Sequence, residues 1–184
     1  MDKVAVLIDA GYVRSVLKKH FHEARIDYGE LAAWACQKDE LFRAYYYDCL
    51  PYQSRSPTPE ERDKISKAQS FFSALRRLRR FTVREGRLEF RGVDDEGHPV
   101  FEQKRVDLQI GLDIATLALR ERIHVFAIIS GDSDIIPAVT YAKDLGVLIR
   151  LVHGPLRTYH TELWDLADER LEITSEVVID LIRP

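Results

Sequence analysis

Two runs of consecutive apolar residues end in aspartate, and this pattern constrains the chain more than any other feature. Val4-Ala5-Val6-Leu7-Ile8 is closed by Asp9-Ala10-Gly11. Val125-Phe126-Ala127-Ile128-Ile129 is closed by Ser130-Gly131-Asp132-Ser133-Asp134. Short continuous apolar runs read as strands buried on both faces, the kind found in parallel sheets covered by helices. In open α/β sheets the C-terminal ends of the strands are where ligands bind. Asp107, in Arg105-Val106-Asp107, opens an apolar-periodic helix between the two runs. Carboxylates converging at one sheet edge repel one another unless a cation sits among them, and hard divalent ions such as Mg²⁺ take oxygen ligands of this type. The pattern therefore points to metal-dependent phosphoryl transfer or phosphodiester cleavage.

Strand and helix alternate along the rest of the chain. Strands are predicted at 3–8, within Glu40 to Leu50, at 123–129 and from Val147 to Val152. Helices are predicted at about 12–21, from Asp27 or Tyr28, from Thr58 to about Arg80, from Val106 to Leu119, and at about 133–145. A weaker helix is expected at Thr158 to Asp168 and a short terminal one at Glu176 to Ile182. Thr58, Pro59 and Glu61 have the spacing of an N-cap, a first-turn proline and a capping box. Pro51 to Pro59 reads as an exposed loop. Phe81 to Glu85 and Arg87 to Arg91 alternate around Gly86 and read as a strand with its hairpin partner, followed by a polar turn over 94–99. The economical solution is a three-layer α/β/α, Rossmann-like domain with a mostly parallel central sheet. It is expected to occupy 1–184 as one domain, with a hairpin embellishment at 81–103.

Composition agrees with a globular chain: 46 % of its 184 residues are hydrophobic and 31 % charged. The net charge of -3 does not advertise nucleic-acid binding, but clustered acids would lower the total and hide a local basic surface. Cys36 and Cys49 are the only cysteines and have no Cys-x-x-Cys spacing, which argues against zinc. Residues 1–8 are too short for a signal peptide, and no apolar stretch approaches bilayer-spanning length, so a cytoplasmic location and no membrane partner are expected.

Other chemistries fit less well. The first strand is not followed by Gly-x-Gly-x-x-Gly, and no phosphate-binding Gly-x-x-x-x-Gly-Lys motif is present. Haloacid-dehalogenase phosphotransferases want a second aspartate two residues after the first, where this chain has Gly11. A Ser-His-Asp triad lacks a nucleophile elbow. Paired carboxylates holding Mg²⁺ or Mn²⁺ remain: Asp9 at a strand tip, Asp132 and Asp134 at a helix start, and Asp107 in a first helical turn. Asp113 is a weaker candidate, because six residues place it about 120° around the helix from Asp107. Each aspartate has an ordinary alternative as an N-cap or a salt-bridged helix residue. For nucleic acid, the densest basic run is Arg76-Arg77-Leu78-Arg79-Arg80, although cations at a helix C-terminus also suit the dipole.

At these residues the chain resembles the NYN domain family of PIN-like nucleases. The motifs that carry the resemblance are Ile8-Asp9-Ala10-Gly11, then Lys104-Arg105-Val106-Asp107-Leu108 with Leu112-Asp113, then Ile129-Ser130-Gly131-Asp132-Ser133-Asp134-Ile135 with Pro137, Ala142 and Gly146-Val147. Leu163-Trp164-Asp165-Leu166-Ala167-Asp168 is similar to the family's closing helix. The resemblance spans roughly 3–170, in family order. It implies an acidic pocket that binds Mg²⁺ or Mn²⁺, with RNA as substrate and partner. Asp9, Asp107, Asp132 and Asp134 inherit the catalytic and metal-binding roles, and Asp113 a lesser one. Many members carry asparagine three residues after the first aspartate, where this chain has Tyr12. A tyrosine there can stack on a base or simply pack. The expected function is a metal-dependent endoribonuclease. The alternatives are a non-catalytic RNA-binding or regulatory module and a small-substrate phosphatase. A homodimer is a candidate assembly.

Overall fold

The computed structural model describes residues 1–94, 96, 99–120 and 122–182, without the side chains of residues 99 and 102–104. Asp95, Gly97 and His98 of the expected polar turn lie outside the described residues. The chain runs β1 (Lys3–Asp9), α1 (Ala10–His20), α2 (Tyr28–Cys36), β2 (Glu40–Cys49), α3 (Pro59–Arg77), β3 (Phe81–Val93), β4 (Pro99–Lys104) and α4 (Val106–Ala118). It continues through β5 (Val125–Ile129), a 3-10 turn (Ser133–Ile135), α5 (Ile136–Asp144), β6 (Leu148–His153), α6 (Thr161–Leu166), β7 (Glu169–Glu172) and α7 (Ser175–Leu181).

The seven strands form one sheet in the order β4-β3-β2-β1-β5-β6-β7, parallel throughout except for the β3/β4 pair. Alternation along β1 explains the three layers. Val4, Val6 and Ile8 join a core with α1, α2, α3 and α7, whereas Ala5 and Leu7 join a second core with α4, α5 and α6. A strand that feeds two cores has no polar face, and β5 repeats the pattern. Among the described residues, no helix is long and apolar enough to cross a membrane.

Several boundaries differ from the sequence reading. Gly86 does not turn the chain: β3 passes through it as one strand, parallel to β2 over Phe81 to Gly86 and antiparallel to β4 from Arg87 onward. The hairpin partner is β4, not Arg87 to Arg91. The reason is pairing: β3 runs on from β2 directly into β4, and its register shifts only between Phe90 and Gly92. Helix α3 ends at Arg77, so Arg79 and Arg80 lie in the turn that enters β3. Arg80 there adopts a positive φ of 60°. The weak helix expected at Thr158 to Asp168 shortens to α6, and the chain then adds β7, an edge strand with too few apolar residues to show a period. The capping box at Thr58 and Glu61 is present, with both of its reciprocal hydrogen bonds.

Candidate active site

The C-terminal edge of the parallel sheet is built around Asp9. As the last residue of β1 it leaves the sheet in an extended conformation and caps α1, its Oδ1 accepting the Tyr12 N–H at 3.0 Å. Its other oxygen accepts the Ser130 hydroxyl at 3.3 Å. Ser130 follows β5 directly and is 1 % exposed. Its Oγ also accepts the Asp132 N–H at 3.2 Å, and Asp132 Oδ1 in turn accepts the Asp134 N–H at 3.0 Å as cap of the 3-10 turn. One chain of hydrogen bonds thus joins Asp9, Ser130, Asp132 and Asp134 across two adjacent strands. Ser130 received no role from sequence, although it stands inside the quoted motif. Its signal was its position, one residue past a buried strand whose neighbour ends in aspartate.

Asp107 enters from the first turn of α4, whose preceding residue, Arg105, is held at a left-handed φ of 75°. Its proximity to the others is electrostatic. Burial lifts the Asp9 carboxyl above its ordinary range; the Tyr12 amide opposes this, while Asp107 and Asp132 add to it. Burial likewise lifts Asp107, and Asp132 and Asp134 raise it further. Asp9 and Asp107 are therefore both held above the ordinary carboxyl range, by burial first and by neighbouring aspartates second.

Asp113 is not part of this group. It accepts a bidentate pair from Arg84, at 2.9 and 3.0 Å, and the hydroxyl of buried Tyr47 at 2.8 Å. These bonds tie α4 to β3 and β2. Tyr12 is packed rather than offered to a base: its hydroxyl accepts the Gly154 N–H at 2.8 Å and lies 3.1 Å from Thr158 Oγ1. The arginine run is dispersed. Arg76 pairs with Glu85. Arg80 binds Glu40 at 2.8 Å and the Leu41 carbonyl, at the start of β2 and so at the opposite sheet edge from Asp9. Arg77 and Arg79 are exposed.

Sequence reasoning missed a second charged group beside this edge. Asp48, near the end of β2 and 5 % exposed, receives Arg14 Nη1 at 2.5 Å and Nη2 at 2.8 Å. The Tyr46 hydroxyl and the Cys49 N–H also donate to Asp48, at 3.1 and 2.8 Å. Its signal was an acid directly after three consecutive tyrosines, Tyr45 to Tyr47. Asp48 points to the α1 face of the sheet, whereas Tyr47, the register partner of Asp9, points to the α4 face.

Among the described residues, no group of three or more His, Cys, Asp or Glu side chains is placed to hold a metal ion. The donor chemistry nonetheless fits a hard divalent cation: all four groups are carboxylates, and Asp9 and Asp107 are raised by burial and, less, by the neighbouring aspartates. Mg²⁺ needs only one or two protein carboxylates, because it keeps several waters and takes substrate phosphate oxygens for the rest.

The fold defines a Rossmann-like α/β protein with an acidic candidate site at the C-terminal edge of its sheet. A family model for the NYN domain matches residues 3–172, nearly the whole chain, and the chain belongs to the NYN domain family, within the PIN-like superfamily. That family consists largely of nucleases. No curated protein matches the chain. Among solved structures, the chain is similar to a protein of unknown function from Vibrio parahaemolyticus. The two share 19 % identity and a TM-score of 0.60 over 95 % of this chain and 94 % of that one, a likeness of fold.

Proposed function

We propose that the protein is a metal-dependent endoribonuclease that hydrolyses RNA phosphodiester bonds at the edge formed by β1, β5 and the start of α4. The observation that carries this reading is the hydrogen-bonded chain Asp9–Ser130–Asp132–Asp134, with Asp107 charge-coupled to it. A divalent ion such as Mg²⁺ or Mn²⁺, held by Asp9 together with Asp107, Asp132 or Asp134, would offset charge on the scissile phosphate. The chain's own residues do the rest. Ser130 fixes the Asp9 carboxylate by its hydroxyl and the Asp132 backbone by its Oγ. Asp107, lifted in proton affinity and only half-buried, is the carboxylate suited to take a proton from an attacking water. Membership of a largely nucleolytic family supports the reading.

The test is cleavage of single-stranded and structured RNA with Mg²⁺ or Mn²⁺. Loss of cleavage in Asp9→Asn and Asp132→Asn supports the assignment. Cleavage that survives both substitutions removes the site, and no cleavage of any substrate removes the enzyme. A second reading, a non-catalytic RNA-binding module, is favoured by one observation: the carboxylates do not converge in threes among the described residues. Mn²⁺ titration calorimetry separates the two, since tight Asp-dependent binding favours the nuclease and its absence favours the module.

A further inference from the structure

On the α1 face of the sheet, two cavities of about 690 and 460 Å³ share Arg14, Tyr28 and Phe71 as walls and form one groove between α1, α2 and α3. We propose that this groove holds a nucleotide unit of single-stranded RNA leading away from the acidic edge. The inference rests on the RNA reading above and names where, and in what form, the strand lies. Volumes of this size suit a ligand as large as a nucleotide.

The walls have the chemistry of a nucleotide. Half-buried Phe71 borders both cavities and is set by edge-to-face contacts with the buried Tyr28 and Tyr46 rings, each with its centroid 5.9 Å away. A partly exposed aromatic ring such as Phe71 receives a base that has left its stack, which limits the occupant to a single strand. The lower rim carries Lys18 and exposed Arg25 against one acid, Glu23, which sits 3.8 Å from Lys18 with both side chains largely in solvent. Arg25 has no ion-pair partner among the described residues. In the centre, the Arg14 side chain is 49 % exposed although Asp48 grips it from below. Asp48 uses one N–H from each terminal nitrogen, so the planar fork is fixed in place with further donors to offer a phosphate.

Placement links the groove to the reaction. Asp48 follows Tyr47, which is in register with Asp9, so the upper mouth opens one strand away from the acidic site at the same sheet edge. A strand whose scissile phosphate lies at Asp9 has only to cross the tip of β2 to enter the groove. Within the α3 arginine run, Arg80 is committed at the far edge and Arg76 to Glu85.

The test reads binding in EDTA, where cleavage plays no part, using a single-stranded oligonucleotide carrying 5-iodouridine. Irradiation is expected to give adducts on the peptide containing Phe71. Lys18→Glu with Arg25→Glu, two exposed positions, should weaken binding by about tenfold and lower the salt slope by about 0.7 for each lost phosphate contact. Arg77→Glu with Arg79→Glu should bind with the wild-type salt slope. Competition by a free mononucleotide at similar concentration would make the groove a site for free nucleotides, and its failure to compete supports the strand. Adducts confined to other peptides, with wild-type affinity in the folded Lys18/Arg25 variant, would overturn the proposal. Because no cleavage is read, a protein without nuclease activity still gives a decisive result.

Discussion

The Tyr12 hydroxyl lies 3.1 Å from Thr158 Oγ1, joining residues 146 positions apart in sequence. That contact clamps the segment after β6 onto α1, with Gly131 between them. A Cβ built on Gly131 would lie 2.4 Å from the Thr158 carbonyl oxygen and 2.6 Å from the Tyr12 ring. The His160 N–H also donates to the Gly131 carbonyl at 3.0 Å.

Gly131→Ala should therefore displace the loop that carries Asp132. Overpacking of this kind costs about 1–3 kcal/mol, measurable by urea denaturation. Tyr12→Phe keeps the ring, loses the hydroxyl bonds, and should cost less. An unchanged midpoint for Gly131→Ala would mean that the loop yields freely.

Asp9→Asn should raise stability in EDTA at neutral pH. The folded-state pKa of Asp9 lies above its unfolded value of about 3.9. Its contribution is therefore most favourable below that value and is lost as pH rises through the folded pKa. Asparagine can still accept the Tyr12 N–H without the charge. The gain in Tm should grow from pH 4 toward pH 8, at about 2–4 °C for each kcal/mol regained. A gain that shrinks over that range would contradict the burial argument.

Arg14→Ala leaves Asp48 buried with only the Tyr46 hydroxyl and the Cys49 amide. Breaking a fully buried pair costs about 3–5 kcal/mol, and half-exposed Arg14 should cost less than that. A double-mutant cycle with Asp48→Asn measures the coupling. Additive losses would show that the two residues act independently.

Asp113→Ala and Asp107→Asn should behave oppositely. The first severs bonds to Arg84 and Tyr47, each worth about 1.5–3 kcal/mol for a charged partner, and should lower stability while RNA cleavage persists. The second should spare stability and reduce cleavage by about 100-fold or more. Cleavage assays beside thermal melts decide the matter, and a common profile for both variants would merge their roles.

The layered fold was legible because buried strands write continuous apolar runs, and β1 and β5 do so without interruption. The shared position of Asp9, Asp132 and Asp134 was legible for the same reason, since parallel strands deliver their ends to one edge. What sequence could not convey was partnership. Asp113 and Asp107 sit on one helix, and only the Arg84 and Tyr47 side chains, from distant strands, show which is structural. The Arg76 to Arg80 run read as one basic surface, but the helix ended three residues early and Glu85 and Glu40 claimed two of its members. Asp48 stood out after three tyrosines, but nothing in the sequence tied it to Arg14, 34 positions earlier.

β3 belongs to the sheet for its first half and to the β4 hairpin for its second, and β4 delivers the chain to α4 through Arg105 alone. Asp107 therefore takes its position from the hairpin that feeds the first turn of α4, while the Arg84–Asp113 grip holds the helix further along. Lengthening, shortening or loading that hairpin would retilt the first turn of α4 and reset the reach of the site while every acid kept its place in the sequence.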